Sequence, residues 1–77
     1  MIGRVLAILG AFGPDHPSLT LSEISQVTGL PATTTYRLLA QMTQWGALTR
    51  TADRRYWIGP RLVELAALTP PQLSLVS

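Results

Sequence analysis

Between Thr20 and Gly46 the chain carries two sets of helix punctuation so close together that only a short turn fits between them. Thr20-Leu21-Ser22-Glu23 has the form of a capping box, in which the threonine and glutamate side chains satisfy orphan amides reciprocally. Leu19 and Ile24 flank it as a hydrophobic staple, and Gly29 supplies the left-handed residue that stops this helix after about two turns. Leu21, Ile24 and Val27 form its expected inward face. Pro31 then occupies a favoured first helical position, and an unbroken pattern runs to Trp45 before Gly46 ends it. At about 100° per residue, Pro31, Thr35, Leu38, Leu39, Met42 and Trp45 share one face, while Thr33, Arg37, Ala40 and Gln44 centre on the opposite one. One face is core and the other is free. Two helices joined by a glycine-containing turn are the sequence form of a helix-turn-helix, although helical hairpins in bundles share it.

The flanking segments narrow the choice. Upstream, Ile2, Val5, Leu6, Leu9 and Phe12 recur at three- and four-residue spacing, which predicts a first helix ending before Gly13-Pro14. Ile8 and Met1 fall off that stripe, so the helix is apolar over more of its surface than a monomer needs. Either a dimer contact or a slightly apolar surface accounts for this. Downstream, Leu48-Thr49-Arg50-Thr51 and Arg55-Tyr56-Trp57-Ile58 read as two strands around a turn at Ala52-Asp53-Arg54, with Tyr56 and Ile58 inward and Arg55 and Trp57 outward. Gly59-Pro60 opens a fourth helix with Leu62, Leu65 and Leu68 on one side, stopped by Thr69-Pro70-Pro71. The expected fold is mostly α with a small β-hairpin: a winged helix-turn-helix with a three-helix core, a wing and a linker helix over residues 1–68. Residues 69–77 are expected to be a tail, or the start of a linker to a further domain.

Composition excludes several function classes. A chain of 77 residues has room for one small core, and an apolar content of 47% argues against disorder. No apolar run approaches the roughly 20 residues that span a bilayer, and the amino terminus lacks a secretory signal pattern, so a cytoplasmic protein with no membrane partner is expected. There is no cysteine, the single histidine His16 sits in the turn sequence Pro14-Asp15-His16-Pro17, and the four carboxylates include no pair spaced for acid and base work. Neither an enzyme nor a metal or other cofactor is expected. Net charge is only +2, yet all six basic residues are arginine, and Arg37, Arg50, Arg54, Arg55 and Arg61 lie in the second half, opposed there only by Asp53 and Glu64. The planar guanidinium suits phosphate and guanine because it donates paired hydrogen bonds.

These features point to double-stranded DNA. Threonine hydroxyls and amides at the start of the third helix can hold phosphates, aided by the helix dipole. Further along the free face Arg37 is suited to a paired bond with guanine, and Thr33 and Thr34 to a thymine methyl or a phosphate. Arg54 and Arg55 on the wing can reach a neighbouring phosphate or the minor groove. Ser22 and Gln26 on the second helix can touch backbone, Arg50 lies near the hairpin base and stands behind Arg54 and Arg55 as a contact, and Arg61 is expected to pair with Glu64 or Glu23. The candidate contact set is Ser22, Thr33, Thr34, Tyr36, Arg37, Gln41, Arg54 and Arg55. The rival class is a winged helix used for protein contact, which predicts binding insensitive to salt.

The order of elements, with Arg4-Val5-Leu6-Ala7-Ile8-Leu9, Leu21-Ser22-Glu23-Ile24, Thr28-Gly29-Leu30-Pro31, Tyr36-Arg37-Leu38-Leu39 and Tyr56-Trp57-Ile58-Gly59-Pro60-Arg61-Leu62, resembles the amino-terminal domain of IclR-type bacterial transcription regulators. The match covers roughly residues 4 to 68. The resemblance implies a domain that reads operator DNA as a dimer or tetramer, with helices one and four as the expected homodimer contact. It also implies a larger domain, outside these residues, that binds a small-molecule effector. Three positions depart from the family pattern: Ala32 stands where a basic residue is common, Thr35 where an aliphatic one is common, and Trp57 where the wing is usually polar.

Overall fold

A computed structural model describes residues 2–70, so Met1 and the apolar stretch after Pro70 lie outside the described residues. The elements are α1 (Ile2–Gly10), β1 (Ser18–Thr20), α2 (Leu21–Thr28), α3 (Ala32–Trp45), β2 (Leu48–Arg50), β3 (Arg55–Ile58) and α4 (Pro60–Ala66). The capping box forms as its residues dictate: the Glu23 amide donates to Thr20 Oγ1 at 3.2 Å, and the Thr20 amide donates to Glu23 Oε1 at 2.8 Å. Gly29 and Gly46 stop α2 and α3 in the left-handed region, at φ 75° and 99°, where a side chain would be strained. Pro31 precedes α3 as its N-cap rather than opening it, a shift of one residue.

The wing is broader than a hairpin. β1 pairs antiparallel with β3, so the sheet has three strands in the order β1-β3-β2, with Leu19 opposite Tyr56 and Arg50 opposite Tyr56 on the other side. β1 contains one apolar residue, too little for a strand period to register, and it exists because residues 55 to 57 supply its hydrogen bonds from far along the chain.

Ile8, Leu19, Ile24, Leu38, Leu39, Met42, Ala47, Leu48 and Tyr56 form one core. The polar member is Thr35, fully buried, whose hydroxyl donates to Pro31 O at 2.9 Å, which is how a hydroxyl is tolerated where an aliphatic side chain would serve. The first helix corrects the sequence reading. Ile8 is fully buried while Ile2 and Leu6 are 74% and 59% exposed, so the packing face is Val5, Ile8, Leu9 and Phe12. Two stripes overlap in a helix this apolar, and the position of α2 and α3 chooses between them. In α2, Val27 is 64% exposed rather than inward. Thr28 takes the inner edge instead, donating to Ile24 O at 2.8 Å and accepting from the Leu30 amide at 3.3 Å. With Ser25 Oγ donating to Leu30 O at 2.6 Å, these bonds fix the turn between the two helices.

Gly59 lets β3 pass into α4. A Cβ there would lie 2.3 Å from Gly46 O and 2.8 Å from the Leu48 backbone, so no larger residue fits, and the Gly59 amide donates to Ala47 O at 2.8 Å. In α4 only Leu62 packs against the core; Leu65, expected on the same side of the helix, is exposed, as is Leu68, which lies beyond the end of α4. Ile58, also expected inward, is exposed to a similar degree as the outward Trp57. Arg61 pairs with neither Glu64 nor Glu23. Its guanidinium lies 4.1 Å from the centre of the Trp45 ring, a cation–π contact, and this explains why Trp45 sits half-exposed at the edge of the core.

Candidate nucleic-acid interface

Three elements converge on one side of the molecule. The start of α2 contributes exposed Ser22; α3 contributes exposed Thr33, Tyr36, Arg37, Ala40 and Gln44; the wing contributes exposed Arg50 at the end of β2 and Arg54 in the turn that follows. Ser22, Tyr36, Arg50 and Arg54 line one trough whose floor is Tyr56. The free face of α3 is therefore the one its helical period predicts. Two candidates stand at its margins. Thr34 is half-buried, and Gln41 lines a different groove, with Val5, Leu9, Met42, Trp45 and Leu62, on the side of α1 and α4.

The start of α3 is chemically open. Thr35 N to Pro31 O, at 2.9 Å, is the first bond of the helical ladder, and Pro31 supplies no side-chain cap. The amides of Ala32, Thr33 and Thr34 thus lack the closure that α2 has, and they sit at the positive end of a 14-residue helix. Such a terminus accepts anionic oxygens.

The four arginines of α3 and the wing fall into two settings. Arg55 is committed to the protein: Nε donates to Ser18 Oγ at 2.8 Å, and Nη2 donates to Ser18 O at 3.1 Å and pairs with Glu23 Oε1 at 3.3 Å. It ties the central strand to β1 and to the start of α2. The Thr20 amide, joined by the charge of Arg55, holds the Glu23 carboxyl below its ordinary range. Arg37, Arg50 and Arg54, by contrast, make no side-chain hydrogen bond or ion pair among the described residues.

The wing turn is braced from within. The Arg54 amide donates to Thr51 O and the Thr51 amide to Arg55 O, both at 2.9 Å. Thr51 Oγ1 donates to Asp53 Oδ1, which lowers the Asp53 pKa, and the same hydroxyl accepts from Trp57 Nε1 at 3.2 Å. This geometry puts Arg54 at φ 65°, the one non-glycine residue in the left-handed region among those described, at the position where three-residue hairpin loops ordinarily carry glycine. The outward Trp57 thus has a structural partner in the turn. The sequence places Arg50 only near the base of the hairpin; the fold brings it into the lining of the same trough as Tyr36.

A three-helix core with an arginine-bearing wing beside an open helix face defines a winged helix-turn-helix domain. The family model of the IclR helix-turn-helix domain matches residues 2–52, and the chain belongs to that family, as a DNA-binding domain of the transcription-regulator type. It is 36% identical over 72 residues to the HTH-type transcriptional regulator KipR of Bacillus subtilis (strain 168), covering 94% of this chain and 28% of that protein. Among solved structures, a putative IclR-family regulator from Rhodococcus sp. superposes with a TM-score of 0.78 at 39% identity, covering 92% of this chain and 30% of that one. An IclR homologue from Microbacterium hydrocarbonoxydans complexed with 4-hydroxybenzoate gives 0.80 at 34% identity, covering 83% and 27%. The chain thus spans under a third of the length of these relatives. No described helix is long and apolar enough to cross a membrane, and no group of three or more potential metal ligands occurs among the described residues.

Proposed function

We propose that this domain reads operator DNA with α3 in the major groove and the wing on the adjacent backbone or minor groove. The observation that carries the reading is that Arg50 and Arg54 line one trough with Tyr36 of α3, whose start is uncapped and whose exposed face carries Arg37, and that none of the three arginines is paired among the described residues. The Thr33 and Thr34 amides and hydroxyls set register on phosphates, Arg37 reads a base edge, and Ser22 touches the flanking strand. Tyr36 borders the groove on the wing side, Gln41 reaches DNA only at its far margin, and Arg55 acts chiefly by holding β1 and α2 in place. The domain works in the cytoplasm by binding, without catalysis or a cofactor.

Exposed Ile2 and Leu6 on α1 and Val63 and Leu65 on α4 support a homodimer joined through these helices, which would present two copies of α3 to two half-sites. Small-molecule sensing belongs to a domain beyond these residues; a ligand of that kind is named for the Microbacterium homologue. Fluorescence anisotropy with a generic duplex over a salt series tests the central claim. Affinity should fall with a slope of about −0.9 per phosphate neutralised. Binding that ignores salt would instead favour a protein-contact module.

A further inference from the structure

We propose that the trough between α3 and the wing is a phosphodiester site, in which Arg50 supplies the charge and Tyr36 a hydroxyl, gripping the DNA strand that divides the major groove from the minor groove. The inference rests on the DNA reading above and follows from its geometry. If α3 occupies the major groove and Arg54 the flanking minor groove, the single sugar-phosphate strand between those grooves must pass between α3 and the wing turn. That space is not filled by protein. Two adjoining depressions lie there, an outer and an inner one, and both are lined by Tyr36, Arg50 and Tyr56.

The inner part is lined by Tyr36, Ala40, Thr43, Arg50 and Tyr56, so its lining includes an arginine and no carboxylate. Asp53 borders only the outer part, where Thr51 already donates to it. Two observations mark the inner part as unfinished by the protein itself. Tyr36 is 63% exposed in the first turns of α3 with no hydrogen-bond partner among the described residues, and tyrosine is a residue type enriched at interfaces. Thr43 Oγ1 is sealed from water and unpaired, and such a group is costly to leave so. Ala40, between them on the helix surface, leaves room for the strand to approach.

The test compares the wild-type chain with Arg50→Ala, Arg50→Lys, Tyr36→Phe and Arg4→Ala on a fluorescein-labelled generic duplex over a salt series. Circular dichroism melting checks that each variant is folded; Arg50 is exposed and Tyr36→Phe removes only a hydroxyl. Arg50→Ala should flatten the salt slope by about 0.9, Arg50→Lys should keep the slope, and Arg4→Ala, which lines neither part of the trough, should leave it unchanged. Tyr36→Phe should weaken binding a few-fold with the slope intact, because a neutral donor releases no counterion. A wild-type slope retained in Arg50→Ala, or an equal flattening in Arg4→Ala, would overturn the site while leaving the DNA reading standing. Wild-type binding that is absent at low salt, or indifferent to salt, would overturn both.

Discussion

α2 and α3 are separated by three residues, yet they begin in opposite ways. At the start of α2 every resource is turned inward: Thr20 and Glu23 close each other's amides, Arg55 closes on Glu23, and β1 runs directly into the helix. At the start of α3 a proline replaces the capping side chain, the first amides stay open, and the neighbouring arginines have no partner among the described residues. Backbone donors can either stabilise the fold or meet a ligand, and the same group cannot do both at once. The contrast therefore divides the motif into a helix that is held and a helix that is offered.

The largest effect that would break this division lies on the open side. Arg37→Ala is expected to cost about 1–3 kcal/mol on a cognate site and to relax preference at one base pair, with the melting temperature unchanged. A footprint and affinity identical to wild type would remove Arg37 from the readout.

On the closed side, Thr20→Ala should lower folding stability by about 1 kcal/mol in chemical denaturation, with DNA affinity of the folded chain unaltered. The same device predicts a pH signature. Because the Thr20 amide and then Arg55 hold the folded Glu23 pKa below its ordinary value of 4.5, its stabilisation is present above that value and is lost as pH falls through the folded pKa. Glu23→Gln, which removes the titrating carboxyl, should therefore lose less stability on acidification than wild type. Equal acid sensitivity in the two chains would show that the box contributes nothing to linkage.

The smallest effect sharpens the comparison at the wing, where one residue serves both ends against its own backbone. Arg54→Gly should raise stability by at most about 1 kcal/mol by relieving the left-handed conformation, and should weaken binding to all sequences alike, with a salt slope flatter by about 0.9. An unchanged slope would assign Arg54 to the turn alone.

Where sequence and structure agree, the signals are local. The capping box, the glycine stops and the exposed face of α3 depend on residues within a turn or two of one another, so spacing and backbone chemistry suffice to place them. Where they part, two local answers were equally good. The stripe beginning at Ile2 and the one beginning at Val5 both fit α1, and Val27 and Thr28 are adjacent claimants for the edge of α2. Packing against another element, which no short window contains, selected between them.

The site divides along the same line. By itself the sequence determined that the chain builds two punctuated helices with an arginine and threonines on a free face, because helix geometry is periodic and its termini obey short-range hydrogen-bond rules. Only the tertiary structure decided that Ser18–Thr20 becomes a strand, that Arg55 is bound to Ser18 and Glu23 while Arg54 has no side-chain partner among the described residues, that Arg61 lies on Trp45, and that Arg50 and Tyr36 line one trough. Each of these joins elements distant in sequence, and a guanidinium's long stem can reach several partners until the fold leaves it one.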